Sequence, residues 1–263
     1  SPFKWPPVYP RLQIPVKGLA FLEQRSMIVI VGPMARRLEK KVAVVTGAAR
    51  GIGQTIALAY CREGAYLSLW DINAEGLKET AEEITGKIGE EALLLRTDVT
   101  REDEVDASVK MTLERFNRID ILVNSAALKM AAIVPREKRA TYHFWEIEPK
   151  RWRDLLEVNL TGVFLCCQRV AQEMAARRAG SIINITTSDE TKLRRGYSPY
   201  GASKAALEAF SLSIAKELKP LGVRVNLLQP GGAVNLRGQN DPSLLPYDAI
   251  VPPAVFMASD ESR

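Results

Sequence analysis

The chain has 263 residues, 46% apolar and 25% charged, enough for one α/β domain that buries its own core without cross-links. Its three cysteines, Cys61, Cys166 and Cys167, cannot build a disulfide framework. None has metal-ligand spacing to the single histidine, His143, so no metal is expected and a reduced, cytoplasmic setting is the simplest reading. The net charge of +5 does not indicate a nucleic-acid binder: residues 1–41 hold eight Lys/Arg and two Asp/Glu, the remainder is close to neutral, and neither nucleic acid nor a membrane is expected as a partner.

Residues 1–33 read as an N-terminal extension. Pro2, Pro6, Pro7, Pro10 and Pro15 exclude a regular helix. The apolar run Met27–Val31 is too short to span a bilayer, and it ends in Gly32-Pro33 without a clear small-residue cleavage site. The extension is either an arm packed on the domain or a partner, or a consequence of start-site choice, since Met34 opens a sequence that reads as a natural start. Residues 34–263 are expected to form a single domain.

From Lys41 onward, β-branched runs alternate with amphipathic stretches. The pattern predicts a strand over Val42–Thr46, a helix over Ile52–Arg62, a strand over Ala65–Asp71 and a charged helix over Ala74–Lys87. A third strand over Ala92–Thr97, a helix over Glu102–Phe116 and a fourth strand over Ile119–Asn124 follow. One long helix is expected over Pro149–Arg177, with Pro in its first turn. Then come a strand over Ser181–Thr186, a helix over Ser198–Leu218 and a strand over Val223–Leu228. Strand–helix repetition of this kind specifies a doubly wound parallel sheet with helices on both faces.

Between the first strand and first helix lies Thr46-Gly47-Ala48-Ala49-Arg50-Gly51-Ile52-Gly53. Gly47 turns the chain out of the strand, Gly51 admits a diphosphate close to the backbone, and Gly53 lets the helix pack on the sheet. The helix N-terminus then offers free N–H groups and a positive dipole end to the anion. Asp71, ending the second strand, stands where a carboxylate hydrogen-bonds a ribose diol and repels a 2′-phosphate. Ile72 and Asn73 after it bring no cation, so NAD is favoured. Arg50 dissents, because it can reach a 2′-phosphate, and NADP stays open. The plainer reading of Asp71 is a helix N-cap.

With these features in place, the sequence from about Met34 to Arg263 resembles the short-chain dehydrogenase/reductase family. Thr46–Gly53 is similar to the family's glycine signature, and Asp98-Val99 to its adenine-contacting pair. Asn124-Ser125-Ala126-Ala127 stands where the family carries Asn-Asn-Ala-Gly, and Val158-Asn159-Leu160 resembles the segment with its active-site Asn. Tyr200-Gly201-Ala202-Ser203-Lys204 resembles its Tyr-x-x-x-Lys; Arg224-Val225-Asn226 and Pro230-Gly231 resemble the segment under the nicotinamide. The resemblance implies a Rossmann-type α/β fold and a nicotinamide cofactor bound by Gly47, Arg50, Gly51, Ile52, Gly53, Asp71, Ile72, Asp98, Val99, Asn124, Ala126, Tyr200, Lys204, Pro230 and Gly231. It also implies hydride transfer between a small-molecule alcohol and its carbonyl, and a homodimer or homotetramer built through Leu160–Ala175 and Ala205–Leu218.

The chemistry fits the residue types. Oxidising an alcohol needs a base for its hydroxyl proton, and reduction needs the same group as an acid. A free tyrosine, with a pKa of about 10, is a poor base near neutrality. Residues four apart on a helix share a face, so Lys204 is expected to support a Tyr200 phenolate and lower its pKa. The resemblance adds a ribose contact for Lys204 and a relay water held by Asn159. The family's substrate-orienting serine has no direct counterpart: its usual spacing before the tyrosine falls on Thr187, with Ser188 next. Adjacent strand residues face opposite ways, so Thr187 is favoured by spacing, while a bulge would bring in Ser188.

Three further readings concern the periphery. The segment Pro135–Phe144, with Arg136, Lys138, Arg139 and His143, is taken as a surface loop rather than the substrate mouth. Leu236–Tyr247 reads as a mobile substrate loop. The chain ends at Ser259–Arg263, short of the family's seventh strand, which is expected to alter edge packing. A competing reading from another class is a nucleotide-binding sensor or interaction protein with weak or lost catalysis, supported by Thr187 and the short C-terminus.

Overall fold

A computed structural model describes residues 36–88, 91–135, 138, 141–230, 246 and 248–262. The extension 1–33, Arg136, Arg139, Gly231 and all of Leu236–Tyr247 except Pro246 lie outside the described residues. Six strands form one parallel sheet: β1 (Val42–Thr46), β2 (Tyr66–Asp71), β3 (Leu93–Arg96), β4 (Ile121–Asn124), β5 (Gly180–Ile185) and β6 (Val223–Leu228), in the order β3-β2-β1-β4-β5-β6. Register pairs Thr46 with Trp70 on one side and with Asn124 on the other. The winding direction reverses between β1 and β4, and their C-terminal ends open there as a crevice.

Both faces of the sheet are buried, as an all-parallel sheet requires. Alternation along each strand divides the core in two. Ala43, Val45, Ile121, Val123, Ile183 and Ile185 face helices α1 (Gly51–Arg62), α2 (Ala74–Ile88) and α8 (Val251–Ala258). Val44, Trp70, Leu122 and Ile182 face α3 (Glu102–Phe116), α5 (Gly162–Ala176) and α7 (Ser198–Leu218). No helix among the described residues is long and apolar enough to cross a membrane.

The expected long helix is broken in register. It runs as α4 (Pro149–Leu156), a π turn (Glu157–Thr161) and α5. The π turn is centred on Asn159, which is fully buried. A short helix α6 (Asp189–Lys192) and the helix α8 were not anticipated. The α8 segment reads as a start in hindsight, because Pro252 and Pro253 occupy first-turn positions where a missing N–H costs nothing.

Candidate active site

Thr46 closes β1 by accepting hydrogen bonds at Oγ1 from the backbone N–H groups of Ser125 and Ala126, both at 3.1 Å. This pins the chain after β4 to the glycine loop. Gly47 has φ +67°, and a Cβ there would lie 2.7 Å from the backbone of Ala126. A Cβ on Gly53 would lie 2.2 Å from the Gly47 carbonyl oxygen. Neither position tolerates a side chain without backbone movement. Arg50 is the N-cap of α1, yet its side chain makes no cap bond, and the first turn carries no acid. The helix start is therefore left without a side-chain partner for its N–H groups, the condition that suits a diphosphate.

Asp71 accepts from the Ala49 N–H at 3.0 Å through one carboxylate oxygen and from the Asn73 N–H at 2.9 Å through the other. It is not the cap of α2. That role falls to Asn73, whose Oδ1 accepts from the Gly76 N–H at 3.1 Å. Ile72 is exposed and Ile52 half-buried. Asp98 holds a tight turn through bonds from the Thr100 N–H and hydroxyl at 3.0 and 2.7 Å. Val99 packs against α5, where a Cβ on Gly162 would come within 2.7 Å of it. Asn124 donates to Asn184 Oδ1 at 2.8 Å, tying the ends of β4 and β5 beneath the crevice. Pro230 follows β6 and is half-buried.

Tyr200 and Lys204 stand one turn apart on α7 and share a face, with the lysine Nζ 5.9 Å from the centre of the tyrosine ring. Lys204 is only 4% exposed. Its ammonium donates to the Ile185 carbonyl at 2.8 Å. Burial pushes its pKa down to about 8, against an opposing pull from Glu208. The Tyr200 phenol moves the other way from expectation. Burial raises its pKa, a hydrogen bond with the Thr187 side chain lowers it in part, and Tyr197 adds a further rise. The expected lowering by Lys204 is absent because burial dominates both groups and weakens the lysine's own charge.

The two hydroxyls after β5 separate cleanly. Thr187 is the one whose side chain acts on the Tyr200 phenol, pulling its pKa down. Ser188 caps α6 instead, accepting from the Thr191 N–H at 3.3 Å and pairing with the Thr191 hydroxyl at 3.0 Å. The Asn159 side chain is also committed: its Oδ1 accepts from the Leu128 N–H at 2.7 Å. Its Nδ2 donates to the Leu128 carbonyl at 3.0 Å and to Ser203 Oγ at 3.2 Å.

Sequence reasoning missed several supporting groups. Glu208 accepts from the Thr186 hydroxyl and the Lys192 ammonium, both at 2.5 Å, and so binds the end of β5 and α6 to the helix carrying Tyr200. Its signal was its position four residues beyond Lys204. The backbone of Leu128 carried no signal, because a main-chain partner has no side-chain signature.

A family model described as short chain dehydrogenase matches residues 41–237. A 3-oxoacyl-[acyl-carrier-protein] reductase from Synechocystis sp. is 36% identical over 197 residues, covering 74% of this chain and 74% of that protein. A D-threitol dehydrogenase from Mycolicibacterium smegmatis is 36% identical over 239 residues, covering 85% and 88%. Among solved structures, a metagenomic short-chain oxidoreductase in complex with NADP superposes with a TM-score of 0.73 at 30% identity, covering 84% of this chain and 92% of the other. An NAD+-bound xylitol dehydrogenase gives a TM-score of 0.75 at 26% identity, covering 86% and 95%.

Proposed function

The chain belongs to the short-chain dehydrogenase/reductase family, and on that premise we propose that this NAD(P)-dependent oxidoreductase interconverts a secondary alcohol and its carbonyl, with NAD(H) preferred. The observation that carries the reading is the cluster of half-buried Thr187 and Tyr200 with buried Lys204, in which the Thr187 side chain pulls down the pKa of the tyrosine phenol and the lysine ammonium lies under its ring.

Bound along the glycine loop and Asp71, a nicotinamide supplies the hydride donor or acceptor. The rest belongs to the chain. Tyr200 gives its phenolic proton to the carbonyl oxygen in reduction and takes the hydroxyl proton in oxidation. Thr187 orients that oxygen. Lys204, held near pH 8 by burial, passes protons at physiological pH and grips the ribose. Since the Asn159 side chain is taken up by Leu128 and Ser203, its share in a relay falls to the main chain of the π turn, where the regular helical ladder is interrupted.

Asp71 supports the cofactor preference. Its oxygens keep lone pairs beyond the two backbone bonds, and its charge opposes a 2′-phosphate. Exposed Arg50 is the group that argues for NADP. The test is turnover of NADH and NADPH with a panel of ketones. We expect a higher kcat/KM with NADH; equal or better use of NADPH would overturn the preference, and cofactor binding without turnover of any ketone would overturn the activity.

We place self-association on α5 and α7, where Phe164 and Leu212 are exposed. Sedimentation velocity is expected to show a dimer or tetramer, and a monomer at all concentrations would remove this assignment.

A further inference from the structure

A groove of about 330 Å3 lies beside the cluster that holds Tyr200. One wall is Tyr142, His143 and Phe144; the other is Leu193, Arg194 and Arg195. The first wall belongs to the segment taken from sequence as a surface loop. Tyr142 packs in the same apolar cluster as Tyr197 and Tyr200, around Met130, Ile133 and Leu155, so the groove adjoins the reacting centre. A volume of this size suits a small molecule rather than a protein segment.

The lining contains three cationic side chains and no carboxylate. The cations are not equivalent. Lys192 is neutralised by Asp189 at 2.8 Å and Glu208 at 2.5 Å, and is only 10% exposed. Arg194 lies over the Tyr197 ring, 5.5 Å from its centre. Among the described residues, neither Arg194 nor Arg195 meets a carboxylate. Glu146, just beyond the opposite wall in sequence, is engaged by the His143 N–H at 2.6 Å. The apolar part of the lining is unusually bare: Phe144 is 70% and Leu193 86% exposed. Phe144 is braced by Trp145, whose ring stacks on His143 at 4.3 Å.

Two guanidinium groups that meet no carboxylate among the described residues, on one wall of an exposed apolar groove, fit one class of ligand. We propose that the groove receives the far end of the substrate and that this end carries a carboxylate. The substrate is then an amphipathic oxo or hydroxy acid, its hydrocarbon body on Phe144 and Leu193 and its anion at Arg194 and Arg195, the geometry in which arginine pairs best. Tyr197 sits between Arg194 and Tyr200, with its ring centre 6.5 Å from that of Tyr200. On this proposal the carboxylate lies beyond Tyr197 from the reacting carbon, and an acid with its carboxylate next to the carbonyl does not reach. This inference rests on the alcohol–carbonyl reading above.

The test compares 7-oxooctanoate with its methyl ester, and pyruvate as the short control, using the full chain and NADH. The parent is expected to favour the acid over the ester in kcat/KM. The double variant Arg194→Ala/Arg195→Ala lowers the acid-to-ester ratio about tenfold, Arg195→Glu inverts it, and pyruvate gains nothing from the arginines. A ratio that moves in neither variant overturns the proposal. Calorimetric titration of the same two probes in the presence of NAD separates the groove from the chemistry. Acid-specific binding that is lost in the double variant supports the groove even if neither probe is reduced, an outcome that counts against the activity instead. No preference for the acid in binding to the parent overturns the groove.

Discussion

Replacing Tyr200 with Phe is expected to lower kcat for ketone reduction by about 10²- to 10⁴-fold, the range for loss of a positioned acid or base. Only the oxygen is removed. The ring keeps its edge-on contact with Tyr197 and its place in the Met130–Ile133 cluster, so the fold stays intact and the loss falls equally on kcat and kcat/KM. Burial holds the Tyr200 phenol above its ordinary range, so alcohol oxidation by the parent is expected to climb through alkaline pH as phenolate forms. That limb disappears in the variant. The neighbouring hydroxyls give a paired contrast: Thr187→Val, which removes the hydroxyl that acts on Tyr200, is expected to cost more turnover than Ser188→Ala, which removes the cap of α6. A Tyr200→Phe enzyme within about threefold of the parent would show that another group moves the proton, since so small a change is under 1 kcal/mol.

Lys204→Met is expected to abolish most activity, about 10²-fold or more, while making the protein more stable at neutral pH. The sign follows from linkage. The folded-state pKa is about 8 against an ordinary 10.5, so the unfolded chain holds this proton more tightly and stability rises with pH through that window. Below it the buried charge costs on the order of 3 kcal/mol. Methionine removes the charge but leaves the Ile185 carbonyl without its donor, a loss of roughly 1–3 kcal/mol. The variant should therefore exceed the parent by about 1 kcal/mol near pH 7 and fall below it above pH 10.5. Urea unfolding at the two pH values checks this. A stability difference that stays constant with pH would mean that folding leaves the pKa of Lys204 unshifted. Lys204 lies against the Tyr200 ring, and Glu208 one turn on is the group that opposes the shift.

The strands and the helix carrying Tyr200 could be read from sequence because their signals are local. Val42–Thr46, Glu102–Phe116, Ser198–Leu218 and Val223–Leu228 have the bounds that periodicity assigned. The π turn at Glu157–Thr161 could not be read. It accompanies burial of Asn159 against the backbone of Leu128, a partner distant in sequence and silent in composition. The Thr187–Ser188 choice needed one more local clue. Ser188 precedes Asp189-Glu190, a helix-start pattern, and a serine engaged as a cap is not free to face a substrate. The electrostatics of Tyr200 and Lys204 are not legible from spacing for a general reason: spacing places two groups on one face, but only packing decides how deeply they are buried, and burial outweighs their mutual effect here.

Asp71 has a consequence for redesign. The residue proposed to select the cofactor also anchors two amides, those of Ala49 and Asn73. Exchanging it for a neutral residue to admit a 2′-phosphate orphans at least one of them; asparagine, with a single acceptor oxygen, can keep only one. The glycine loop would then lose part of its anchorage just where a new anion must be received. Changing this chain's cofactor is thus at least a two-site problem, requiring a substitute acceptor for the Ala49 amide together with a cation for the phosphate. A nucleotide choice that rests on Asp71 would be insulated against drift by single substitution.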